Sequence, residues 1–183
     1  MVLPRAVAGR RADQEHGGVL ERALLYLDQN YLSGFAKRKP AFRELEPVLR
    51  EAVAAGAVAV VESEVHERES EPRPDLQLIE LLRELSAGRR LPSGPDPGAR
   101  RIRRRMAETI AREHPARVPR ASDAGDLDAL ALALRHCDIV TCDAFMADVV
   151  RRLRLDVVER CELYAGTRRD VLRLRDRLRE LID

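Results

Sequence analysis

The stretch Ala23-Leu24-Leu25-Tyr26-Leu27-Asp28 is a short apolar run that ends in a carboxylate. Five apolar residues in a row are typical of a strand buried on both faces, as in a parallel sheet. Similar runs at 57–61 and 139–141 follow predicted helices over 40–55 and 126–135. Because strands that alternate with helices form parallel sheets covered on both faces, we predict a three-layer α/β/α fold.

The remaining pattern completes the layers around this sheet. Prolines and glycines predict a loop over 88–98, and Val157-Val158 predicts a short fourth strand. Further helices are predicted by apolar residues at helical spacing and by the turn signals that bound them. They cover residues 31–37, 75–87, 99–113, 144–154 and 168–182.

Length and charge limit the class of protein. The chain has 183 residues, with 33 Lys plus Arg against 31 Asp plus Glu and a formal net charge of +2. Such balanced charge excludes a histone-like protein and an acidic disordered tail. We predict a flexible lead-in over 1–20 and one domain over 21–183, with a Pro-rich loop and basic helix over 88–114 and a C-terminal helix over 168–182.

Targeting signals and cysteines point to the cytoplasm. No apolar run approaches the roughly 18 residues of a membrane-spanning helix, so we expect no membrane segment. Residues 1–18 are interrupted by charges and do not resemble a secretory signal. Cys137, Cys142 and Cys161 lack metal-ligand spacing and indicate reduced, buried thiols.

Carboxylates follow the predicted strands at the sheet edge where ligands bind in such folds. Asp28 and Asp143 each end an apolar strand, and a carboxylate is costly to bury there without a purpose. Asp126 and Asp128 open a helix, where an aspartate most often serves only as a cap. Acids also follow the second strand, and singly they are typical of a solvated face: Glu64, Glu67 and Glu69.

Carboxylates from four segments at one edge would repel each other and raise their own pKa values. A hard divalent cation removes that conflict, because Mg²⁺ or Mn²⁺ prefers oxygen ligands and keeps waters that can attack a phosphodiester. The combination therefore predicts a Mg²⁺ or Mn²⁺ site.

Four short motifs together resemble those of the PIN-domain nucleases. They are Asp28-x-Asn30, Ser63 with Glu69 six positions on, Asp126 opening an Ala/Leu-rich helix, and Thr141-x-Asp143. The resemblance covers roughly residues 23–160. It implies a PIN-like fold that binds Mg²⁺ or Mn²⁺ through Asp28, Glu69, Asp126 and Asp143 and hydrolyses single-stranded RNA. Asn30, Ser63 and Thr141 would support these ligands.

Some positions and roles stay open in this comparison. Glu64 and Glu67 are alternatives to Glu69, while Asp123 and Asp128 are alternatives to Asp126. One implied role is that of a toxin with an antitoxin protein as partner, although the chain is longer than the short toxins of that family. A second hypothesis is an inactive PIN-like module that binds RNA or protein. A third, a haloacid-dehalogenase-type phosphatase, expects an aspartate where Asn30 stands.

The predicted basic helix is the candidate surface for the RNA backbone. Its arginines match phosphate oxygens, although a solvated face around Ile102, Met106 and Ile110 explains them equally well. Three Tyr and three Phe are too few for a base-stacking platform. The arginines predicted to contact phosphate are Arg100, Arg101, Arg104 and Arg105.

The closing helix carries an apolar seam, and the second acidic segment carries a histidine. Val171, Leu174, Leu178 and Leu181 fall on one helix face, which predicts packing on the sheet or a homodimer. His66 is close enough in sequence to approach the site, but a lone histidine is more often structural.

Overall fold

The computed structural model describes residues 22–66, 78–118 and 123–183, and the predicted flexible lead-in over 1–20 lies outside them. Its centre is a four-stranded sheet in the order β2-β1-β3-β4, in which all neighbouring strands run parallel. The strands are β1 Ala23–Tyr26, β2 Val58–Val61, β3 Ile139–Cys142 and β4 Glu162–Ala165.

Helices connect the strands and cover both faces of the sheet. They are α1 Gln29–Ala36, α2 Pro40–Ala54, α3 Leu78–Ser86, α4 Pro97–Glu113, α5 Asp123–His136, α6 Ala144–Arg152, α7 Leu155–Glu159 and α8 Arg168–Ile182. One hydrophobic cluster packs the helices α4, α5, α6 and α7 against one face of the sheet. Another packs α1, α2, α3 and α8 against the opposite face. The predicted three-layer α/β/α fold is confirmed.

Alternating strand residues divide between the two clusters. In β1, Leu25 faces the cluster of α1 and α2, while Tyr26 faces that of α4 and α5. β3 repeats this alternation with Ile139 and Val140. The near-continuous apolar runs seen in the sequence therefore reflect burial on both faces.

The predicted strand at Val157-Val158 is wrong. These residues lie in α7 and are 58% and 61% exposed, whereas the fourth strand is Glu162–Ala165. Two adjacent valines favour a strand locally, but the sheet takes up a segment whose side chains can be buried on both faces. Glu162, the first residue of this strand, interrupts the apolar pattern of the segment. The fold accommodates it because Arg177 donates hydrogen bonds to its carboxylate.

The seam of α8 packs within the chain. Val171, Leu174 and Leu178 are completely buried in the cluster that includes α2. These three residues therefore pack inside the chain and are not available to a second subunit. The homodimer stays a prediction, and the seam of α8 no longer supports it. In the described parts of the chain, no helix combines the length and apolarity needed to cross a bilayer.

The order of the strands places a topological reversal, the position at which open α/β sheets have a crevice, at one edge of the sheet. From β1 the chain first moves to β2 on one side and later to β3 on the other. In open α/β sheets, ligands bind outside the carboxyl ends of the strands at such a reversal. Here that point lies between β1 and β3, where the segments that begin α1 and α6 diverge.

Candidate active site

Asp28 and Asp143 lie at the carboxyl ends of the two adjacent strands that flank this crevice. Asp28 follows β1 and caps α1, while Asp143 follows β3 and caps α6. The backbone N–H of Asp28 donates a hydrogen bond to Thr141 Oγ1 at 2.8 Å, which joins the two strand ends directly. The predicted supporting role of Thr141 therefore has a clear geometric counterpart.

Asn30 orients the Asp28 carboxylate. Its side-chain Nδ2 donates to Asp28 Oδ2 at 2.8 Å, and its backbone N–H donates to the same oxygen at 3.3 Å. Burial nevertheless raises the Asp28 pKa to about 6, and the negative charge of Asp143 adds to this rise. The Asp143 carboxylate is thus close enough to oppose the ionisation of Asp28.

Asp143 is held by the helix that it caps. Its Oδ1 accepts a hydrogen bond from the backbone N–H of Met146 at 2.7 Å. Capping alone would be served equally well by Ser, Thr or Asn, none of which brings a charge into a desolvated crevice. Capping therefore explains where the Asp28 and Asp143 oxygens point, but it does not explain why both residues are acidic.

A third carboxylate at the same edge, that of Asp170 near the start of α8, is treated differently. It accepts from Ala165 N–H at 2.9 Å and pairs with Arg151 and Arg173 at 3.0 and 3.1 Å. Burial acts to raise its pKa, but these hydrogen bonds and charges outweigh burial and hold the pKa below its usual value. Asp170 fastens α8 to the end of β4.

Glu62, directly after β2, is also engaged. Its buried carboxylate accepts a hydrogen bond from Ser86 Oγ and lies 3.7 Å from an Arg90 guanidinium nitrogen. Its backbone pairs with residues 89–91, which extends the edge of the sheet. Sequence reasoning missed both Glu62 and Asp170, although Glu62 carries the same signal as Asp28, an acid directly after an apolar strand.

The acids that follow the inner strands differ from those at the outer strands in their ion-pair partners. Asp170 and Glu62, at β4 and β2, have arginine partners. Within the described ranges, no arginine, lysine or histidine forms an ion pair with Asp28 or Asp143, at β1 and β3. Among the residues that the structure describes, the two neighbouring carboxylates of Asp28 and Asp143 thus have no ion-pair partner.

His66 supports the inner site from the side. Ser63 N–H donates to His66 Nδ1 at 3.0 Å, so the ring proton is on Nε2, which donates to the Leu27 carbonyl at 2.8 Å. The ring also stacks on Tyr26, and burial lowers its pKa to about 4. His66 is therefore a neutral link between the segment after β2 and the residue preceding Asp28.

The other predicted ligands are distributed around the edge. Asp126 is half-buried in the first turns of α5, which run antiparallel to β3 and so begin at the carboxyl edge, and Glu64 is exposed in a helical turn after β2. Asp128 pairs instead with Arg103 on α4 at 2.6 Å. Glu67, Glu69 and the side chain of Asp123 lie outside the described residues.

The residues present fit a Mg²⁺ or Mn²⁺ ion in one respect. Across the described segments, no three or more His, Cys, Asp or Glu side chains gather as a metal-binding group. Mg²⁺, however, is usually held by one or two carboxylates together with waters and substrate phosphates. Asp28, whose carboxylate is desolvated, and Asp143 supply that smaller set, and neither has an ion-pair partner among the described residues.

The arginines of the predicted basic helix lie on the solvent face of α4. Ile102 and Met106 are buried beneath it, whereas the predicted phosphate-contacting arginines are exposed. Arg104 makes a loose pair with Glu108 at 3.8 Å, both side chains being largely exposed. α4 begins beside His136, which bonds Asp96, and ends beside Phe145 near Asp143. It therefore runs from the far edge of the sheet to the crevice.

Cys142 is buried and burial raises its thiol pKa well above the usual value, so it is not an activated nucleophile. Cys137 and Cys161 are likewise buried, as predicted, and neither forms a disulfide. The chain matches no protein-family model, and neither curated proteins nor solved structures show a significant similarity to it.

Proposed function

We propose that this protein is a divalent-metal-dependent ribonuclease of the PIN type that hydrolyses single-stranded RNA. The observation that carries the proposal is the pair of Asp28 and Asp143 at the reversal of strand order, with no internal cation beside them in the described part of the chain. Two such carboxylates stabilise a bound cation, while their arginine-paired counterparts at the outer strands have no such need.

In this proposal each described residue has a defined task. Asp28 and Asp143 hold Mg²⁺ or Mn²⁺, and Asn30 fixes the orientation of the Asp28 carboxylate. Thr141 holds the Asp28 backbone against β3. A bound ion of this kind supplies an activated water and stabilises negative charge on the phosphate. Glu69 and Asp126 complete the acidic set implied by the resemblance.

Substrate binding is assigned to the exposed face of α4. Arg100, Arg101, Arg104 and Arg105 present guanidinium groups that match the spacing of phosphate oxygens. Such contacts are independent of sequence and depend strongly on salt. The toxin role with its antitoxin partner, the homodimer and the cytoplasmic location stay predictions from the sequence.

The test is cleavage of generic single-stranded RNA with Mg²⁺ or Mn²⁺ by the wild type, Asp28→Asn and Asp143→Asn. We expect each variant to lose more than about 100-fold in rate, because even the outer partners of metal ligands contribute about 10 to 100-fold. Asp176→Asn is the matched control, since Asp176 is exposed on α8 and pairs with Arg175 and Arg179 on the same helix. Equal rates in the wild type and both variants would refute the proposal.

A second candidate function is a PIN-like module that binds RNA or protein without cleaving it. The ion pair of Asp128 with Arg103 on α4 favours this alternative, because it engages one of the acids predicted to bind the metal. The same assay separates the two functions. RNA binding without cleavage under either metal, in wild type and variants alike, would favour the module.

A further inference from the structure

The segment that joins β4 to α8 starts beside Asp143. β4 pairs with β3 so that Ala165 is in register with Cys142, and Gly166 and Asp143 are the next residues along these two strands. The Cys142 carbonyl oxygen lies 3.9 Å from the position that a Cβ would take on Gly166. The residues that follow Gly166 therefore begin at the same edge of the sheet as the inner acids.

Two arginines come next, in the first turn of α8. Thr167 caps this helix, since its Oγ1 accepts a hydrogen bond from the Asp170 N–H at 3.2 Å, and the exposed side chains of Arg168 and Arg169 follow it. A positive charge is disfavoured in the first turn of a helix, because that end of the helix dipole is itself positive. The stability of α8 therefore does not explain why both residues are arginines.

The remaining arginines of α8 differ from these two in their partners. They all form ion pairs with acids: Arg173, Arg175, Arg177 and Arg179. In the ranges that the structure describes, Arg168 and Arg169 form neither an ion pair nor a side-chain hydrogen bond. Asp170, the acid next to them in sequence, is already paired with Arg151 and Arg173. The two charges at the carboxyl edge are therefore not cancelled by this acid.

Arg168 and Arg169 begin a helix on the opposite side of the sheet from the basic face of α4. The cluster of α2 and α8 covers one face of the sheet, and the cluster of α4 and α5 covers the other. α4 ends at the same carboxyl edge, because His114 meets the Phe145 ring in the first turn of α6. A chain of phosphates that leaves α4 and crosses this edge over Asp143 is thus led towards the first turn of α8.

We infer that Arg168 and Arg169 bind phosphates of single-stranded RNA on the side of the crevice opposite α4. This inference rests on the proposed function and adds a second phosphate-binding surface to it. The binding groups are the two guanidinium groups, which form charge-assisted hydrogen bonds with phosphate oxygens. Because these contacts reach only the RNA backbone, they are independent of base sequence and depend on salt.

The test measures binding of a short fluorescent oligouridine to the full chain over a range of salt concentrations, in EDTA so that metal-dependent cleavage does not interfere. The double variant Arg168→Gln/Arg169→Gln removes both charges and keeps polar side chains. We expect it to bind about tenfold more weakly than the wild type. The slope of log affinity against log salt should become shallower by about 1.4, or about 0.7 for each of two phosphate contacts.

The matched control is Arg154→Gln/Arg160→Gln, which makes the same change of charge elsewhere. Arg154 and Arg160 flank α7, are exposed and form no ion pair with the described residues. Because α7 precedes β4, these arginines lie towards the opposite edge of the sheet. The control should therefore leave both the affinity and the salt dependence unchanged.

A third double variant separates charge from hydrogen-bond geometry. Arg168→Lys/Arg169→Lys keeps both charges but loses the planar donors, so it should keep the salt dependence and bind several-fold more weakly. Thermal melting confirms that each variant is folded. Arg168→Gln/Arg169→Gln should melt at or slightly above the wild-type Tm, because it removes the unfavourable charges from the first turn of α8.

The outcomes separate this inference from the proposed function. If both glutamine double variants bind like the wild type while cleavage still depends on Asp28 and Asp143, the contact at α8 is refuted and the nuclease remains. If only Arg168→Gln/Arg169→Gln loses binding and no RNA is cleaved with either metal, the contact is supported and the nuclease is refuted. If the wild type neither binds the oligouridine nor cleaves RNA, both are refuted.

Discussion

Asp28 and Asp170 lie at the same edge of one sheet, yet their pKa values move in opposite directions. Asp28 follows an inner strand, and burial together with the charge of Asp143 raises its pKa to about 6. Asp170 lies beside an outer strand, where Ala165 N–H and Arg151 outweigh burial and lower its pKa. The fold is able to neutralise an acid at this edge, and over residues 22–66, 78–118 and 123–183 it does so at the outer strands.

This difference separates a structural acid from a candidate functional one. An arginine-paired carboxylate fixes the position of a helix, as Asp170 does for α8 at the end of β4. Two carboxylates without counter-charge destabilise the metal-free fold and are useful only where something positive binds them. The following substitutions remove either the arginine-paired carboxylate or one of the two carboxylates that have no ion-pair partner among the described residues.

The largest effect on stability is expected at the outer acid. Asp170→Ala leaves the buried N–H of Ala165 without an acceptor and removes the partner of Arg151 and Arg173. We expect the free energy of unfolding to fall by about 3 kcal/mol, which lowers Tm by about 10 °C in a chain of this size. Urea unfolding followed by circular dichroism measures this loss.

Asp170→Asn is the control, because it keeps an acceptor for Ala165 N–H and loses only the charge. Because the pKa of Asp170 is lower in the folded protein than in the unfolded chain, the ionised carboxylate stabilises the folded state at pH values above the ordinary aspartate pKa. This stabilisation disappears as the pH falls through the folded-state pKa. The difference between wild type and Asp170→Asn should therefore shrink below about pH 4. A difference independent of pH would contradict the role of charge.

The inner acid should respond in the opposite sense. In the metal-free protein, Asp28→Asn keeps a cap for α1 and an acceptor for Asn30 while removing the repulsion by Asp143. The pKa of Asp28 is raised in the folded state to about 6. The stability that its protonated form contributes is fully present below the ordinary aspartate pKa and is lost as the pH rises through the folded-state pKa. We expect a gain of at most about 3 kcal/mol at pH 7.

Urea unfolding in EDTA at several pH values measures this gain, which should vanish below about pH 4. Asp143→Asn relieves the same repulsion and is expected to show a smaller gain, because the Asp143 charge adds less to the Asp28 pKa than burial does. A loss of stability in Asp28→Asn at neutral pH would show that its charge is already balanced within the protein.

The sequence was sufficient to predict the layers and the inner acids. The strands β1, β2 and β3 are short runs dominated by apolar residues and are visible without tertiary information, and Asp28 and Asp143 follow from the ends of β1 and β3. The outer strand β4 was missed because Glu162 interrupts its pattern, and the partners that accommodate this acid are Tyr164 on β4 and Arg177 on α8.

The pairing of acids could not be predicted in the same way. Glu62 and Asp28 have the same local signal, and what separates them is Arg90, which the fold places beside Glu62. The contacts of Phe145 with His114 and Arg117 are likewise invisible locally, because these two residues follow the end of a different helix. Ion pairs and stacks between distant segments depend on the path of the chain, which periodicity does not encode.

A smaller effect is expected from the link between β2 and β1. His66→Phe keeps the stack on Tyr26 but loses the hydrogen bonds with Leu27 O and Ser63 N. Two buried backbone groups are then unpaired, which should lower the free energy of unfolding by about 2 kcal/mol. Because Leu27 precedes Asp28, kcat for RNA cleavage should also fall by about tenfold.

His66→Gln is the matched variant, since its amide can accept from Ser63 and donate to Leu27. Partial recovery of both stability and kcat is expected, with KM unchanged in each case. Lower stability with normal kcat, measured well below Tm, would restrict His66 to a structural role.

The smallest expected effect is the stabilisation by Mg²⁺ itself, which compares the two kinds of acid most directly. A ligand at ten times its Kd stabilises the folded state by about 1.4 kcal/mol, or roughly 4 °C in Tm for this chain length. Wild type and Asp170→Asn should both show this rise, because Asp170 already has its arginines. Asp28→Asn and Asp143→Asn should show none, since each removes one of the two uncompensated carboxylates. If Mg²⁺ raises Tm equally in all four proteins, the ion binds elsewhere. The lack of an ion-pair partner at Asp28 and Asp143 would then not mark a metal site.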